Sequence, residues 1–275
     1  MNGNVKASAA PAETRPGVTP AHRLAALARA EFTLLRRNKL LMVNAFVIPL
    51  LPIALLIPAR SGGRVPQEAA VIALALLVLV LLLFVVYYNL LSSYVARREE
   101  LVLKRLRTGE CSDAEILLGT ALPAVTVALG MVLLMSLVGT LALGLPAPEN
   151  PIVLLLAVLG GAAVFTSLAL ITTTFTKNSE AAQITSLPVI GISVLGLPWV
   201  ADALPQSVGE VVPYLPLAPV AELTMLGWLG LTPGGDRVAF AEIFQLAWQP
   251  ALVMLAWLVL GAMVAHRYFR WEPRR

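Results

Sequence analysis

The chain has 275 residues, of which 58% are hydrophobic and only 13% are charged. An ordinary soluble domain carries roughly 25% charged residues, so the composition excludes a protein whose surface is mainly in contact with water. The formal net charge of +4 does not indicate nucleic-acid binding, because the basic residues flank apolar runs and are not interleaved with aromatics. The single cysteine, Cys111, excludes an internal disulfide and a multi-cysteine metal site.

The N-terminal segment has two parts before the first apolar run. Residues 1–22 are rich in Ala, Pro and Gly and predict a disordered cytoplasmic tail. Residues 23–39 predict an amphipathic interfacial helix that serves as an anchor or also docks a cytoplasmic partner. Its apolar residues share one helical face: Leu24, Leu27, Ala28, Leu34 and Leu35. Its basic residues lie away from that face: Arg29, Arg36 and Arg37.

The region 40–268 predicts an all-α, polytopic transmembrane domain, since a bilayer core of about 30 Å needs roughly 20 apolar residues per helix. Six spans are the most economical count: 40–58, 69–95, 116–145, 152–175, 181–200 and 246–268. Pro49 and Pro52 should kink the first span, because each removes a backbone donor. Residues 269–275 form a short cytoplasmic tail.

The distribution of basic residues predicts the orientation of these spans. Of the 20 Lys and Arg residues, all but Arg60, Arg64 and Arg237 fall on one side of the predicted membrane. Because short basic loops are retained in the cytoplasm, both termini are expected there. The lipid bilayer is therefore one partner of this chain, and the plasma membrane its expected location.

The cytoplasmic loop 96–115, between the second and third spans, is the most charged part of the chain. Glu100 precedes Lys104 by four residues, which favours an ion pair on a helix. Gly109 can end that helix, and Ser112 or Asp113 can cap the next one. A short helix lying under the membrane is one interpretation, and a solvated loop that only sets the topology is the other.

The segment 201–245, between the fifth and sixth spans, is apolar but contains many helix breakers. Its prolines and glycines prevent one straight span, yet its apolar patches do not fit a freely solvated loop. The sequence therefore predicts short exterior helices that dip into the outer interface. Trp199, Tyr214 and Trp228 are expected at headgroup depth.

The predicted spans carry no ionisable residue near a midpoint, which disfavours an ion-coupled carrier. Their polar residues either bond between helices or line a substrate path. These residues are Asn44, Asn89, Thr172, Thr173 and Thr174.

Enzymatic motifs are missing from the sequence. It has no phosphate-cradling G-x-x-x-x-G-K-[ST] loop, so ATP must be handled by another chain. His22 and His266 lie at opposite ends, which leaves no metal-ligand spacing. The acidic pair Glu99 and Glu100 resembles that of intramembrane prenyl endopeptidases, but Lys104 replaces their arginine and their intramembrane histidines are absent.

The loop sequence resembles that of the type-2 permeases of ATP-binding-cassette (ABC) exporters. That family has an Arg-Glu pair, a Lys/Arg-Leu-Arg run, and an Ile-Leu-x-Gly entry to the third span. The matching positions are Arg98 and Glu99, then Lys104, Arg105, Leu106 and Arg107, then Ile116, Leu117 and Gly119. Gly109 and Glu110 replace the usual small-Pro turn.

The resemblance implies a non-catalytic permease subunit of an exporter, paired as a homodimer or with a related second permease. A separate ABC ATPase subunit would bind ATP and Mg, and this chain would bind no cofactor and no nucleic acid. The expected ATPase-coupling residues are Arg98, Glu99, Lys104, Arg105, Leu106 and Arg107, with Arg29, Arg36 and Arg37 as secondary interfacial contacts. The expected substrate is a drug, a lipid-linked molecule or a peptide. A non-energised channel or a membrane scaffold is the alternative.

Overall fold

The computed structural model describes residues 20–37, 39–59, 65–102 and 112–269. Every regular element within these residues is helical, apart from an isolated β-bridge between Leu231 and Arg237, so the all-α prediction is confirmed for them. We number the helices in chain order as α1 Pro20–Arg37, α2 39–59, α3 Gln67–Glu99, α4 Asp113–Leu143, α5 Pro151–Phe175, α6 Ala181–Leu195, α7 Pro198–Asp202, α8 Gln206–Tyr214, α9 Ala218–Leu229 and α10 Phe240–Tyr268.

Four of the described helices are long and apolar enough to cross a bilayer: α3, α4, α5 and α10, with 33, 31, 25 and 29 residues. Each exceeds the roughly 20 residues that a crossing requires. They cover the predicted spans 69–95, 116–145, 152–175 and 246–268. A capping box starts α4, where the hydroxyl of Ser112 accepts from the amide of Glu115 at 3.2 Å.

The other two predicted spans, 40–58 and 181–200, are broken, so the count of six crossings is not confirmed. Helix α2 is a series of short pieces: Lys39–Met42, Val43–Val47, Ile48–Leu50, Leu51–Ala54 and Leu56–Ala59. Pro49 and Pro52 lack the amide that would continue the helical ladder. Helix α6 has a turn at Ser186, two residues before Pro188, and ends before Pro198.

The segment 201–245, predicted to hold short exterior helices, contains α8 and α9, whereas α7 begins within the predicted fifth span. Helices α8 and α9 meet at a bend of 73°, and together they count as a broken fifth crossing or a re-entrant loop. Helix α9 packs against α3, α5 and α10. Trp228 on α9 is buried within the protein, and its indole Nε1 donates to the carbonyl of Pro146 at 3.0 Å.

Helices α5 and α9 approach each other closely at Gly227. A Cβ atom at this position would lie 2.6 Å from the amide nitrogen of Leu154. The loop before α5 adds backbone bonds to the end of α9, because the amides of Glu149 and Asn150 donate to the carbonyls of Trp228 and Gly227 at 3.2 and 2.8 Å. The lack of a side chain at Gly227 thus permits this packing.

Helix α3 is the most enclosed of the four long helices, with 67% of its most apolar stretch buried, against 22% for α10. Its middle, Leu81–Tyr88, is π-helical. The hydroxyl of Tyr87 lies in this part and is 3.1 Å from the hydroxyl of Thr172 on α5. A buried hydrogen bond therefore joins α3 to α5.

The N-terminal helix α1 packs against α4. The residues of α1 whose side chains are described are exposed or half-buried. Its placement at a membrane interface stays a prediction.

Candidate functional site

Arg98 lies in the last turn of α3 and is completely buried. Its Nη1 donates to the carbonyl of Thr173 at 2.8 Å. Its Nη2 donates to the carbonyl of Thr176, and at 3.4 Å to that of Lys177. These carbonyls stand at the C-terminal end of α5, where a helix has acceptors without helical partners and a partial negative charge. The guanidinium thus caps α5 from the end of α3.

Glu99, the neighbour of Arg98, is exposed and makes a second contact to the chain beyond α5. Its Oε2 accepts from the backbone amide of Ser179 at 3.3 Å and from the hydroxyl of the same residue. Asn178 caps the start of α6, because its Oδ1 accepts from the amide of Ala181 at 2.9 Å. The end of α3 therefore contacts both the end of α5 and the turn that begins α6.

Two further bonds tie the end of α3 to the beginning of α4. Nη1 of Arg97 donates to the hydroxyl of Thr120 at 3.0 Å. The hydroxyl of Tyr94 donates to the carbonyl of Leu117 at 2.9 Å. The structure thus joins the beginnings of α4 and α6 and the end of α5 to the last two turns of α3. A displacement of these turns would strain all of them.

Lys104, Arg105, Leu106 and Arg107 lie in 103–111, outside the described residues. Helix α3 ends at Glu99, and Leu101 adopts a left-handed backbone with φ 59°. The predicted ion pair between Glu100 and Lys104 also falls outside the described part.

The secondary contacts lie on α1. Arg29 and Arg37 are exposed, and the side chain of Arg36 is outside the described residues. No described bond brings these three residues to the end of α3.

The polar residues predicted within the spans lie on three helices, α2, α3 and α5. Thr172, Thr173 and Thr174 are buried. Their hydroxyls donate to carbonyls of their own helix, those of Leu168, Ala169 and Ile171, at 2.9, 2.7 and 2.6 Å. Asn89 is half-buried on α3, and the side chain of Asn44 lies outside the described residues. The threonine hydroxyls thus satisfy backbone acceptors of α5, and that of Thr172 is also bonded to Tyr87 on α3. Their lining of a substrate path stays a prediction.

Sequence reasoning did not assign roles to Ser179 or to the carbonyls of Thr176 and Lys177. The only signal was the polar run 176–180 between two apolar segments. A run of this kind is equally typical of a plain connecting loop. Its contact with α3 depends on the packing of elements that are about 80 residues apart.

The long apolar helices, with their charged and polar ends joined at one side, define a polytopic membrane protein. Residues 42–265 match the family model described as ABC-2 family transporter protein. The match covers most of the chain, which therefore belongs to the ABC-2 transporter family and is a membrane permease component of an ABC transporter. A search of curated proteins finds no match.

Proposed function

We propose that this permease belongs to an exporter that moves an amphipathic drug, lipid-linked molecule or peptide out of the cell. A separate ATPase subunit binds ATP and Mg and hydrolyses the nucleotide, and this chain holds no cofactor. The observation that supports the proposal most directly is the set of bonds from Arg98 and Glu99 to residues 173–179. These bonds connect the start of the charged loop 96–115 to α5.

The coupling role follows from the different burial of these two residues. Arg98 is buried and positions the end of α5, whereas Glu99 is exposed on the surface that an ATPase would grip. Lys104, Arg105, Leu106 and Arg107 would complete that surface, with Arg29, Arg36 and Arg37 as secondary contacts. When ATP draws the ATPase subunits together, the grip moves the end of α3. The bonds to Thr173 and Ser179 pass that movement to α5 and α6.

The proposed topology has six crossings with both termini in the cytoplasm of a plasma-membrane protein. Helix α2 supplies one broken crossing, and α6 together with α7 supplies the other. Residues 39–59 rise about 30 Å at about 1.5 Å per residue, enough for a bilayer core. The one-sided distribution of Lys and Arg supports the orientation. A second permease, identical or related, completes the pathway.

Co-purification tests the function. A tagged chain isolated from its native membrane should retain a P-loop ATPase, and inside-out vesicles holding the complex should accumulate substrate only with ATP. The isolated chain should hydrolyse no ATP above background. Retention of no ATPase together with ATP-independent flux would reject the exporter and favour a channel.

The double reversal Glu99→Lys with Arg105→Glu tests the coupling surface. The loop keeps its number of basic residues, so insertion should be normal. Loss of a partly buried interfacial charge costs about 2–5 kcal/mol, so ATPase association should weaken at least about tenfold. Normal association and transport in the inserted double variant would reject the coupling role.

A further inference from the structure

A cavity of about 160 Å³ lies between the short helices that precede α9 and the first half of α9 itself. Small residues form much of its wall: Gly196, Ala201, Gly209, Ala218 and Ala221. Val212 and Met225 add apolar surface. Because side chains of this size cannot fill the space where the helices meet, the cavity is a product of the sequence of these short elements.

Glu222 is the only ionisable residue among the described residues that line this cavity. It is half-buried on α9. No described residue donates a hydrogen bond to its carboxylate or forms an ion pair with it, whereas Glu149 pairs with Arg237 at 3.8 Å. Placing a carboxylate in an apolar wall is unfavourable unless a donor or a cation compensates it. Because no described side chain compensates this carboxylate, a cation that entered the cavity would gain a charge-assisted contact with it.

The walls indicate which cation fits. Metal ions such as Ca²⁺ take about six to eight oxygen ligands, carboxylates prominent among them, and the described lining offers a single carboxylate, that of Glu222. Apolar walls with one carboxylate suit an organic ammonium group, whose carbon atoms pack against Val212 and Met225 while its charge faces the acid. The volume of the cavity indicates the size of the bound group. An apolar cavity of about 150 Å³ holds benzene, whereas pockets for whole drug-sized ligands measure about 300–1,000 Å³.

We propose that this cavity binds the ammonium head group of an amphipathic organic amine, with the apolar tail of the molecule outside it. The inference rests on the proposed function and specifies its substrate class as cationic amphiphiles. Glu222 pairs with the charge, and the small residues around it leave room for a group about the size of a benzyl ring. Neutral and anionic amphiphiles of the same shape would gain nothing from the carboxylate.

Direct binding to the purified full chain, without any ATPase, tests this site. The probe is para-fluorobenzylammonium, followed by fluorine NMR, with neutral para-fluorobenzyl alcohol to measure partition into detergent. The wild-type chain should bind the ammonium saturably and at least about tenfold more tightly than the alcohol, as expected for a charge-assisted contact. Glu222→Gln should remove that preference and leave binding of the alcohol unchanged.

Two variants make the result specific. Glu210→Gln removes an exposed carboxylate from the same segment and should bind the ammonium as the wild type does. Glu222→Asp keeps the charge, so it should keep a preference for the ammonium over the alcohol. The proposal is overturned if no saturable binding occurs, or if Glu222→Gln binds the ammonium as tightly as the wild type.

The outcome is separable from that of the proposed function. If the ammonium binds through Glu222 but the chain retains no ATPase, the site stands and the exporter proposal fails. If ATP drives transport while the purified chain binds no ammonium, the exporter stands and the site is rejected.

Discussion

The guanidinium of Arg98 donates a 2.8 Å hydrogen bond to the carbonyl of Thr173, 75 residues later in the chain. Arg98→Met should leave this acceptor and that of Thr176 buried without the donor. An orphaned buried polar group costs about 1–3 kcal/mol, so we expect the free energy of unfolding to fall by about 3 kcal/mol. Denaturant unfolding of the protein in mixed micelles measures this loss.

Arg267→Met is the matched control for Arg98→Met, because Arg267 is exposed. It should change the free energy of unfolding by less than about 0.5 kcal/mol. Arg98→Lys should lie between the two, since a lysine keeps the charge but cannot reach several carbonyls as a planar fork does. Equal stabilities of the two methionine variants would show that Arg98 does not hold the end of α5.

Ser179→Ala should reduce the substrate transported per ATP hydrolysed while it changes the stability little. The substitution removes the hydroxyl that donates to Glu99 and keeps the backbone amide that also donates. Since Ser179 is exposed, the loss of unfolding free energy should remain below about 1 kcal/mol. Ser207→Ala, another exposed serine, should leave both quantities unchanged. Unaltered coupling in Ser179→Ala would mean that this contact transmits nothing.

Gly227→Ala should destabilise the protein, because the new Cβ would lie 2.6 Å from the amide nitrogen of Leu154. Separating two packed helices to admit a methyl group costs about 1–3 kcal/mol. Gly191→Ala is the control, since a Cβ there meets nothing within 4 Å. It should be neutral or stabilising by up to about 1 kcal/mol. Thermal unfolding distinguishes the two, and equal melting temperatures would contradict the close approach of α5 and α9.

Single cysteines introduced at Asp236 and Arg274 test the topology in a Cys111→Ser background. Asp236 is exposed in the turn before α10. A membrane-impermeant maleimide added to intact cells should label the cysteine at Asp236 and should not label the one at Arg274. The reverse pattern, or equal labelling, would overturn the proposed orientation.

The long crossings could be predicted from hydropathy because each is a continuous apolar run. The breaks in α2 follow from Pro49 and Pro52, which signalled a kink. Hydropathy does not reveal the break in residues 181–200, because their mean apolar character suits a span and the turn at Ser186 involves a single residue. Nothing in the sequence marked Leu81–Tyr88 as π-helical, because the run is as apolar as its neighbours.

The site was predicted only in part. Charge density drew attention to Arg98 and Glu99, but the sequence gives no sign that one is buried and the other exposed. Their partners, Thr173 and Ser179, come from distant parts of the chain, and periodicity reports only on neighbours along one element. The three threonines of α5 were weighed between helix bonding and a substrate path, and their hydroxyls donate to carbonyls of α5 itself.

Helix α3 is largely buried and α10 largely exposed, so the two helices should tolerate substitutions to different degrees. Side chains enclosed on all sides must match their neighbours in shape, whereas exposed side chains have fewer neighbours to match and need only remain apolar. A library that exchanges Leu, Ile, Val and Met at random should therefore yield many viable clones when applied to α10 and few when applied to α3. Of the four long helices, α10 is therefore the one in which substitutions of one apolar residue by another should accumulate fastest.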